Sequence, residues 1–234
     1  MMKLFGGYSG VGRGLCDLLE IKPGVTALVG GGGKTSLLYH LAGELSRRGS
    51  VAITTTTHIK KPDQFPFAAA AEEAKMLLAE KKYVCIGTEA EDNKLTAPTF
   101  AGWENIADYV IVEADGAKMH PLKAHAEYEP VIPAGCENVI CVVGASGFGR
   151  AVALAAHRPE IYAALAEVSE QTNVTPEIAA KVVEKEALHT RVFLNQTDAL
   201  QGFAAKSAVK DFAKGLSCPV VSGSLRRGIW EKIK

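Results

Sequence analysis

Lys34 stands directly behind four glycines and ahead of Thr35 and Ser36, and no other position in the chain has so clear a chemistry. Backbone N–H groups of Gly30, Gly31, Gly32 and Gly33, continued into a helix N-terminus, form a nest for phosphate oxygens. Bulky side chains there would block the approach of the anion. Lys34 would then sit on the β- and γ-phosphates and the Thr35 hydroxyl would ligate Mg²⁺, with Ser36 in the same turn. The usual pattern, G-x-x-x-x-G-K-[ST], would put its first glycine at position 28, which is Leu28, so this loop is shortened and begins at Gly30. A glycine-rich turn or a dinucleotide fingerprint is the alternative. A dinucleotide site needs no lysine after its last glycine, whereas a triphosphate site does.

Tyr109–Gly116 reads as an apolar strand ending in two carboxylates, Glu113 and Asp115. Acids at the end of a buried strand are costly unless paired or bound to metal. As alternate residues they can project on one face, and Gly116 leaves room for a γ-phosphate. The spacing E-x-x-G is similar to the third motif of metallochaperone GTPases. Either acid could hold Mg²⁺ through water while the other orients the attacking water. Thr54, Thr55, Thr56, Thr57 and His58 follow another strand, and a hydroxyl there, Thr55 above all, could reach the metal or the γ-phosphate.

Arg191–Leu194 leads into Asn195-Gln196-Thr197-Asp198, one residue away from the N-K-x-D of GTPases. The Asp198 carboxylate can accept from both N1–H and the 2-amino group of guanine, and Asn195 can meet N7 and O6. Adenine would leave the carboxylate unpaired. Gln196 stands where a lysine stem normally covers the base, and helix capping also accounts for Asp198. Guanine is favoured and adenine stays open. Ser222, at the end of a later strand, lies in a small-residue turn that could offer a backbone N–H to O6.

Between these motifs, residues 117–133 form a polar, proline-set stretch. It reads either as a switch segment in which Lys118 or Lys123 engages phosphate or a second substrate, or as an exposed connector. Gly144–Arg150 is a second glycine turn after a strand, and His157-Arg158-Pro159-Glu160 could face a second ligand or simply start a helix. Cys136 and Cys141, five apart, have a poor spacing for zinc.

The elements needed to hold these residues are legible as apolar runs. Strands are predicted at Val25–Val29, Val51–Thr54, Tyr83–Gly87, Tyr109–Ala114, Val139–Val143, Arg191–Leu194 and Val220–Ser222. Helices are predicted behind Ser36, near Ala69–Glu80, Pro159–Glu167, Pro176–Glu186 and Ala199–Lys214. Near-continuous apolar strands alternating with amphipathic helices specify an α/β fold, a mainly parallel twisted sheet with helices on both faces, P-loop NTPase-like. Residues 1–234 are expected to form a single domain, with 144–190 as a helical insertion or cap. A glycine-punctuated arm and a short helix from Leu15 precede the first strand.

The chain has 234 residues, 47% hydrophobic and 22% charged, which excludes disorder as its general state. Lys+Arg and Asp+Glu both count 26, so the basic excess of a nucleic-acid binder is missing. No apolar run approaches the ~20 residues of a membrane span. The start lacks the apolar segment of a secretory signal, and five scattered cysteines without a C-x-x-C fit reduced thiols, so a cytoplasmic location is expected.

Taken with their order, Gly30–Ser36, Thr54–His58, Glu113–Lys123, Glu129–Pro133, His157–Glu160 and Asn195–Asp198 resemble the YqeC-like family of accessory proteins for selenium-dependent molybdenum hydroxylases. The string from Glu113 to Pro133 is the most specific part, with His125 where proline is expected. The resemblance implies a P-loop nucleotide-binding protein in molybdenum or selenium cofactor maturation, with a molybdenum hydroxylase client or a maturation protein as partner. The expectation is a Mg²⁺-dependent protein that binds and hydrolyses a nucleoside triphosphate, GTP before ATP, with Lys34, Glu113 and Asp115 in the reaction. The alternatives are an ATP-dependent phosphotransferase or adenylating enzyme acting on a small cofactor precursor, and a nucleotide-sensing adaptor without catalysis.

Overall fold

A computed structural model describes residues 13–202 and 204–234, which divide into two compact units. The arm at residues 1–12 lies outside the described residues.

The first unit holds the residues through Leu28, Thr35–Gly116 and Val131–Asn138. It begins with the short helix α1 (Leu15–Leu18), whose first amides at Leu15 and Cys16 donate to the Glu44 carboxylate at 3.0 and 2.9 Å. The strand β1 (Gly24–Gly30) and the helix α2 (Lys34–Leu45) follow. Leu37, Leu38, Leu41, Ala42 and Leu45 recur at helical spacing and are fully buried, which is the apolar stripe that makes this segment helical. Then come β2 (Val51–Thr55), β3 (Ile59–Lys60), β4 (Phe67–Ala68), α3 (Ala71–Lys81), β5 (Tyr83–Ile86), β6 (Thr88–Ala90), β7 (Lys94–Thr96) and β8 (Tyr109–Glu113). The strands β1-β8-β2-β5-β4 are neighbours in that order, all parallel. Such strands are covered on both faces, and Ala52, Val84, Ile86, Val110 and Val112 pack with Leu78 of α3 in one core cluster. The strands β3-β7-β6 make a small antiparallel sheet that the apolar pattern had not marked.

The second unit holds Val29–Lys34, Ala117–Pro130 and Val139–Lys234. Its elements are β9 (Leu122–Lys123), β10 (Asn138–Gly144), α4 (Val152–Ala155), β11 (Ala156–His157), α5 (Pro159–Ala166), α6 (Pro176–Glu186), β12 (Arg191–Asn195), α7 (Ala204–Lys214), β13 (Val220–Ser224) and β14 (Ile229–Lys232). The run β10-β12-β13 is parallel, and β14 closes it as an antiparallel edge. Phe193, Phe212 and Tyr162 are its largest buried side chains, and truncating either phenylalanine to alanine would cost about 3–5 kcal/mol. Pro176 occupies the first turn of α6 and the Thr175 hydroxyl accepts from the Ile178 amide, an N-terminus set by local chemistry.

The predicted helix over Ala199–Lys214 starts later than expected. Thr197–Ala199 is a single 3₁₀ turn, Leu200 is extended, Gly202 takes φ +68°, and α7 begins at Ala204. The polar stretch after Gly116, read as irregular, contains β9, which pairs in parallel with β11. Among the described residues no helix is long and apolar enough to cross a membrane. The observed class is α/β with a mostly parallel sheet, as predicted.

Candidate functional site

The glycine loop belongs to the second unit. Gly30, Gly32 and Gly33 have φ of +95°, +70° and +113°, the left-handed region that favours glycine. Space forbids a side chain as well: a Cβ on Gly31 would lie 2.8 Å from the His120 and Pro121 carbonyl oxygens, and one on Gly33 would lie 2.8 Å from Asn195 Nδ2. Two amides expected in the phosphate nest have other work. Gly31 N–H donates to the Val142 carbonyl at 2.8 Å and Gly32 N–H to the His120 carbonyl at 3.0 Å. They fix the loop against β10 and residue 120. The amides of the first turn of α2 have no carbonyl of their own helix to meet. Lys34 is buried, and its Nζ reaches back across the loop to donate to the Gly30 carbonyl at 2.7 Å.

Asn195, at the end of β12, braces this loop. Its Nδ2 donates to the Gly32 carbonyl at 2.8 Å, and its Oδ1 accepts from the Leu225 amide at 3.1 Å. Both ends of the amide are thus engaged within the fold. Gln196 has φ +63°, and its Oε1 accepts from the Ser146 hydroxyl at 2.5 Å, which turns it over Gly144. Asp198 lies in the 3₁₀ turn that follows. A hydrogen bond from the Ser224 side chain, helped by Arg227 and Arg226, holds its carboxyl below the usual aspartate range. Ser222 and Ser224 are both buried on β13.

The first unit holds the carboxylates. The Thr35 hydroxyl donates to Glu113 Oε2 at 2.8 Å, across 78 residues of sequence. Glu113 and Asp115 are both buried, as alternate residues at and just beyond the end of β8. Backbone pairing explains their position: Leu28 is opposite Glu113 in the register of β1 and β8, and the Ala114 amide donates to the Leu28 carbonyl at 2.9 Å. The threonine run is largely spent on the strand ends. Thr54 donates to the Ile86 carbonyl, Thr56 to the Val131 carbonyl and Thr55 to the Glu113 carbonyl at 2.8 Å, and Thr55 Oγ1 also accepts from the Thr57 amide at 3.0 Å. Thr55 therefore positions the Glu113 backbone.

No three His, Cys, Asp or Glu side chains gather as a metal cage among the described residues. The donor set of Thr35, Glu113 and Asp115 is nevertheless all oxygen, and Mg²⁺ binds through one or two carboxylates with waters and substrate phosphates. Those residues fit it.

Two features were not visible in the sequence. Tyr39 of α2 carries no motif, yet burial, followed by Cys85, Glu113 and Asp63, pushes its phenol up to about 12. In the second unit Lys123, whose side chain is fully buried, and Arg158 both pair with Glu129, at 2.9 and 3.2 Å. Gly144, which opens the second glycine turn, donates its amide to the Pro121 carbonyl at 2.8 Å.

Comparison with known proteins bears on the family. The chain is 34% identical over 142 residues to protein YqeC of Escherichia coli (strain K12), a match covering 56% of this chain and 56% of that protein. The chain thus spans little more than half of the relative. Among solved structures it is similar to the signal recognition particle 54 kDa protein of Aeropyrum pernix K1 in complex with GDP. That likeness has a TM-score of 0.42 and 16% identity, and covers 91% of this chain and 44% of the other. The model of the YqeC protein family matches residues 26–160, more than half of the sequence. The chain belongs to the YqeC family.

Proposed function

We propose that this protein binds a Mg²⁺–nucleoside triphosphate, GTP in preference to ATP, and hydrolyses it while serving as an accessory protein in molybdenum or selenium cofactor maturation or insertion. The observation that carries the reading is the 2.8 Å hydrogen bond from the Thr35 hydroxyl to Glu113. It joins the residue after the loop lysine to the carboxylate at a strand end, the two protein groups that flank a metal beside a triphosphate. The maturation role is supported by the family resemblance, with a molybdenum hydroxylase or a maturation protein as the client.

In this mechanism Lys34 leaves the Gly30 carbonyl and turns its ammonium to the β- and γ-phosphates. Glycines keep the loop flat enough for the oxygens to reach the amides that open α2. Thr35, Glu113 and Asp115 would hold the metal, directly or through water, and Mg²⁺ when bound neutralises charge developing on the phosphoryl oxygens. The carboxylate not engaged in that shell orients the attacking water. Asp198, whose carboxyl a hydrogen bond from Ser224 holds below the usual aspartate range, accepts from the N1–H and 2-amino groups of guanine. Asn195 contributes by holding the loop, and Ser222 lies on the strand that ends beside it.

The cluster of Lys123, Glu129 and Arg158 favours one other reading, transfer of a phosphoryl or adenylyl group to a small precursor. Titration of the purified full chain with GTP, ATP and CTP in Mg²⁺ tests the first. Saturable purine-triphosphate binding that is lost in Lys34→Ala, with the thermal transition kept, is the expected result. Equal indifference of wild type and variant to every nucleotide overturns it. Client-stimulated hydrolysis, acceptor-dependent transfer, or binding without turnover then separates hydrolase, transferase and adaptor.

A further inference from the structure

The second unit carries a cluster of donors to which the proposed nucleotide site assigns no role. It starts at the loop itself, where the Gly32 amide meets the His120 carbonyl at 3.0 Å. Two residues later the chain enters β9, which pairs in parallel with β11 so that Lys123 lies opposite His157. The pairing stacks the His120 and His157 rings with centroids 6.2 Å apart and 30° between planes. His157 Nδ1 is buried and has no hydrogen-bond partner. A buried polar atom left this way costs stability unless something else satisfies it.

The backbone around the cluster is unusual too. Lys118, Met119 and Arg158 take φ of +45°, +64° and +63°, left-handed values that non-glycine residues avoid and that gather where function requires them. Arg158 is held there by Glu129 at 3.2 Å and by the Tyr128 ring, 5.2 Å from its guanidinium carbon. Lys118 is exposed and forms no ion pair among the described residues. Burial, then Lys123 and Arg158, with Lys118 adding and only Glu129 opposing, hold the His157 imidazole below its ordinary range.

We propose that His120, His157, Arg158 and Lys118 form a second-ligand site beside the glycine loop, and that it takes a small molecule bearing a phosphate-class oxyanion. A guanidinium fork, an ammonium and two imidazoles offer more donors, in more directions, than a planar carboxylate can meet, whereas a tetrahedral phosphate presents oxygens to all of them. Only its role as a co-substrate site rests on the nucleotide reading; the binding of the anion does not.

The test follows the imidazole resonances of the isotopically labelled full chain by NMR while inorganic phosphate is added, with histidines assigned by His120→Gln and His157→Gln. The signals of both residues are expected to move with the same midpoint in wild type and in Lys34→Ala, where the loop lacks its cation. Arg158→Ala should raise that midpoint about tenfold or more, the loss of one charge-assisted contact. Lys118→Ala, on an exposed side chain that the fold does not need, should raise it about threefold. Acetate at matched ionic strength should leave both signals in place. Signals that stay still in Lys34→Ala, a midpoint unchanged by Lys118→Ala, or acetate acting as well as phosphate overturns the proposal. Failure of the nucleotide reading looks different: the wild type ignores nucleotides while phosphate still moves both imidazoles.

Discussion

Asn195 and Gly32, 163 residues apart in sequence, are joined by a 2.8 Å hydrogen bond from the side-chain amide to the loop carbonyl. The same side chain accepts from the Leu225 amide, so one residue ties the glycine loop to the turn behind β13. A residue read as part of a base-recognition motif therefore braces the glycine loop, the phosphate end of the proposed site. Asn195→Ala should weaken GTP and ATP by the same factor, about tenfold for a lost buried hydrogen bond that positions the loop. Nucleotide titrations of the variant check it, and a loss confined to GTP would return Asn195 to the base.

On the proposed reading Asp198 carries the base preference. With its carboxylate replaced in Asp198→Asn, guanine loses an acceptor for two donors and GTP binding should fall about tenfold or more. Xanthosine triphosphate, which offers an acceptor where guanine has the 2-amino group, should bind better than it does to the wild type. Competition between the two nucleotides measures the exchange, and unchanged affinities for both would remove the guanine assignment.

The bond between Thr35 and Glu113 predicts a shared dependence on metal. Thr35→Ala and Glu113→Gln should each raise the Mg²⁺ concentration needed for half-maximal nucleotide binding, and hydrolysis should fall about 100-fold or more in Glu113→Gln. If both residues serve one ion, as proposed, the double variant should cost less than the two single effects combined. Mg²⁺ titrations of turnover in the four proteins decide this, with full additivity as the outcome that separates the two residues.

Glu44 links α1 to α2 and makes a pH prediction with a definite sign. Burial raises its pKa, but His40 and the Cys16 and Leu15 amides outweigh that and bring it from 4.5 to about 2. A carboxyl lowered in the folded state contributes stability that is fully present above pH 4.5 and lost as the pH falls towards 2. Glu44→Gln should destabilise the chain by about 1–2 kcal/mol at pH 7, the worth of hydrogen bonds to a charged acceptor, with the gap closing near pH 2. Chemical denaturation of both proteins from pH 2 to 7 follows it, and a gap constant across the range would contradict the assignment.

Much of this molecule is written in local patterns. The apolar runs from Val25, Val51, Tyr109, Val139, Arg191 and Val220 are strands within a residue or two of where they were expected, since a buried parallel strand needs little beyond unbroken apolar residues. The loop was legible because four glycines closed by a lysine leave a bare backbone next to a cation, a combination suited to an anion and to little else. Elements of two or three residues, such as β9 and β11, were not, because pairing alone defines them and it reaches across more than thirty positions.

Residue types and their order along the chain thus settle which groups can bind an anion, carry a proton or meet a metal, and which stretches form strands and helices, because periodicity and backbone preference act between near neighbours. Where each group spends its hydrogen bonds is decided by folding. The amides of Gly31 and Gly32 turn inward to Val142 and His120, the amide of Asn195 goes to the loop, the Thr55 hydroxyl serves the Glu113 carbonyl, and Thr35 finds Glu113. Each of those bonds closes over tens of residues or more, and a directional donor at about 3 Å is set by the packing of whole elements, which no short stretch of sequence encodes.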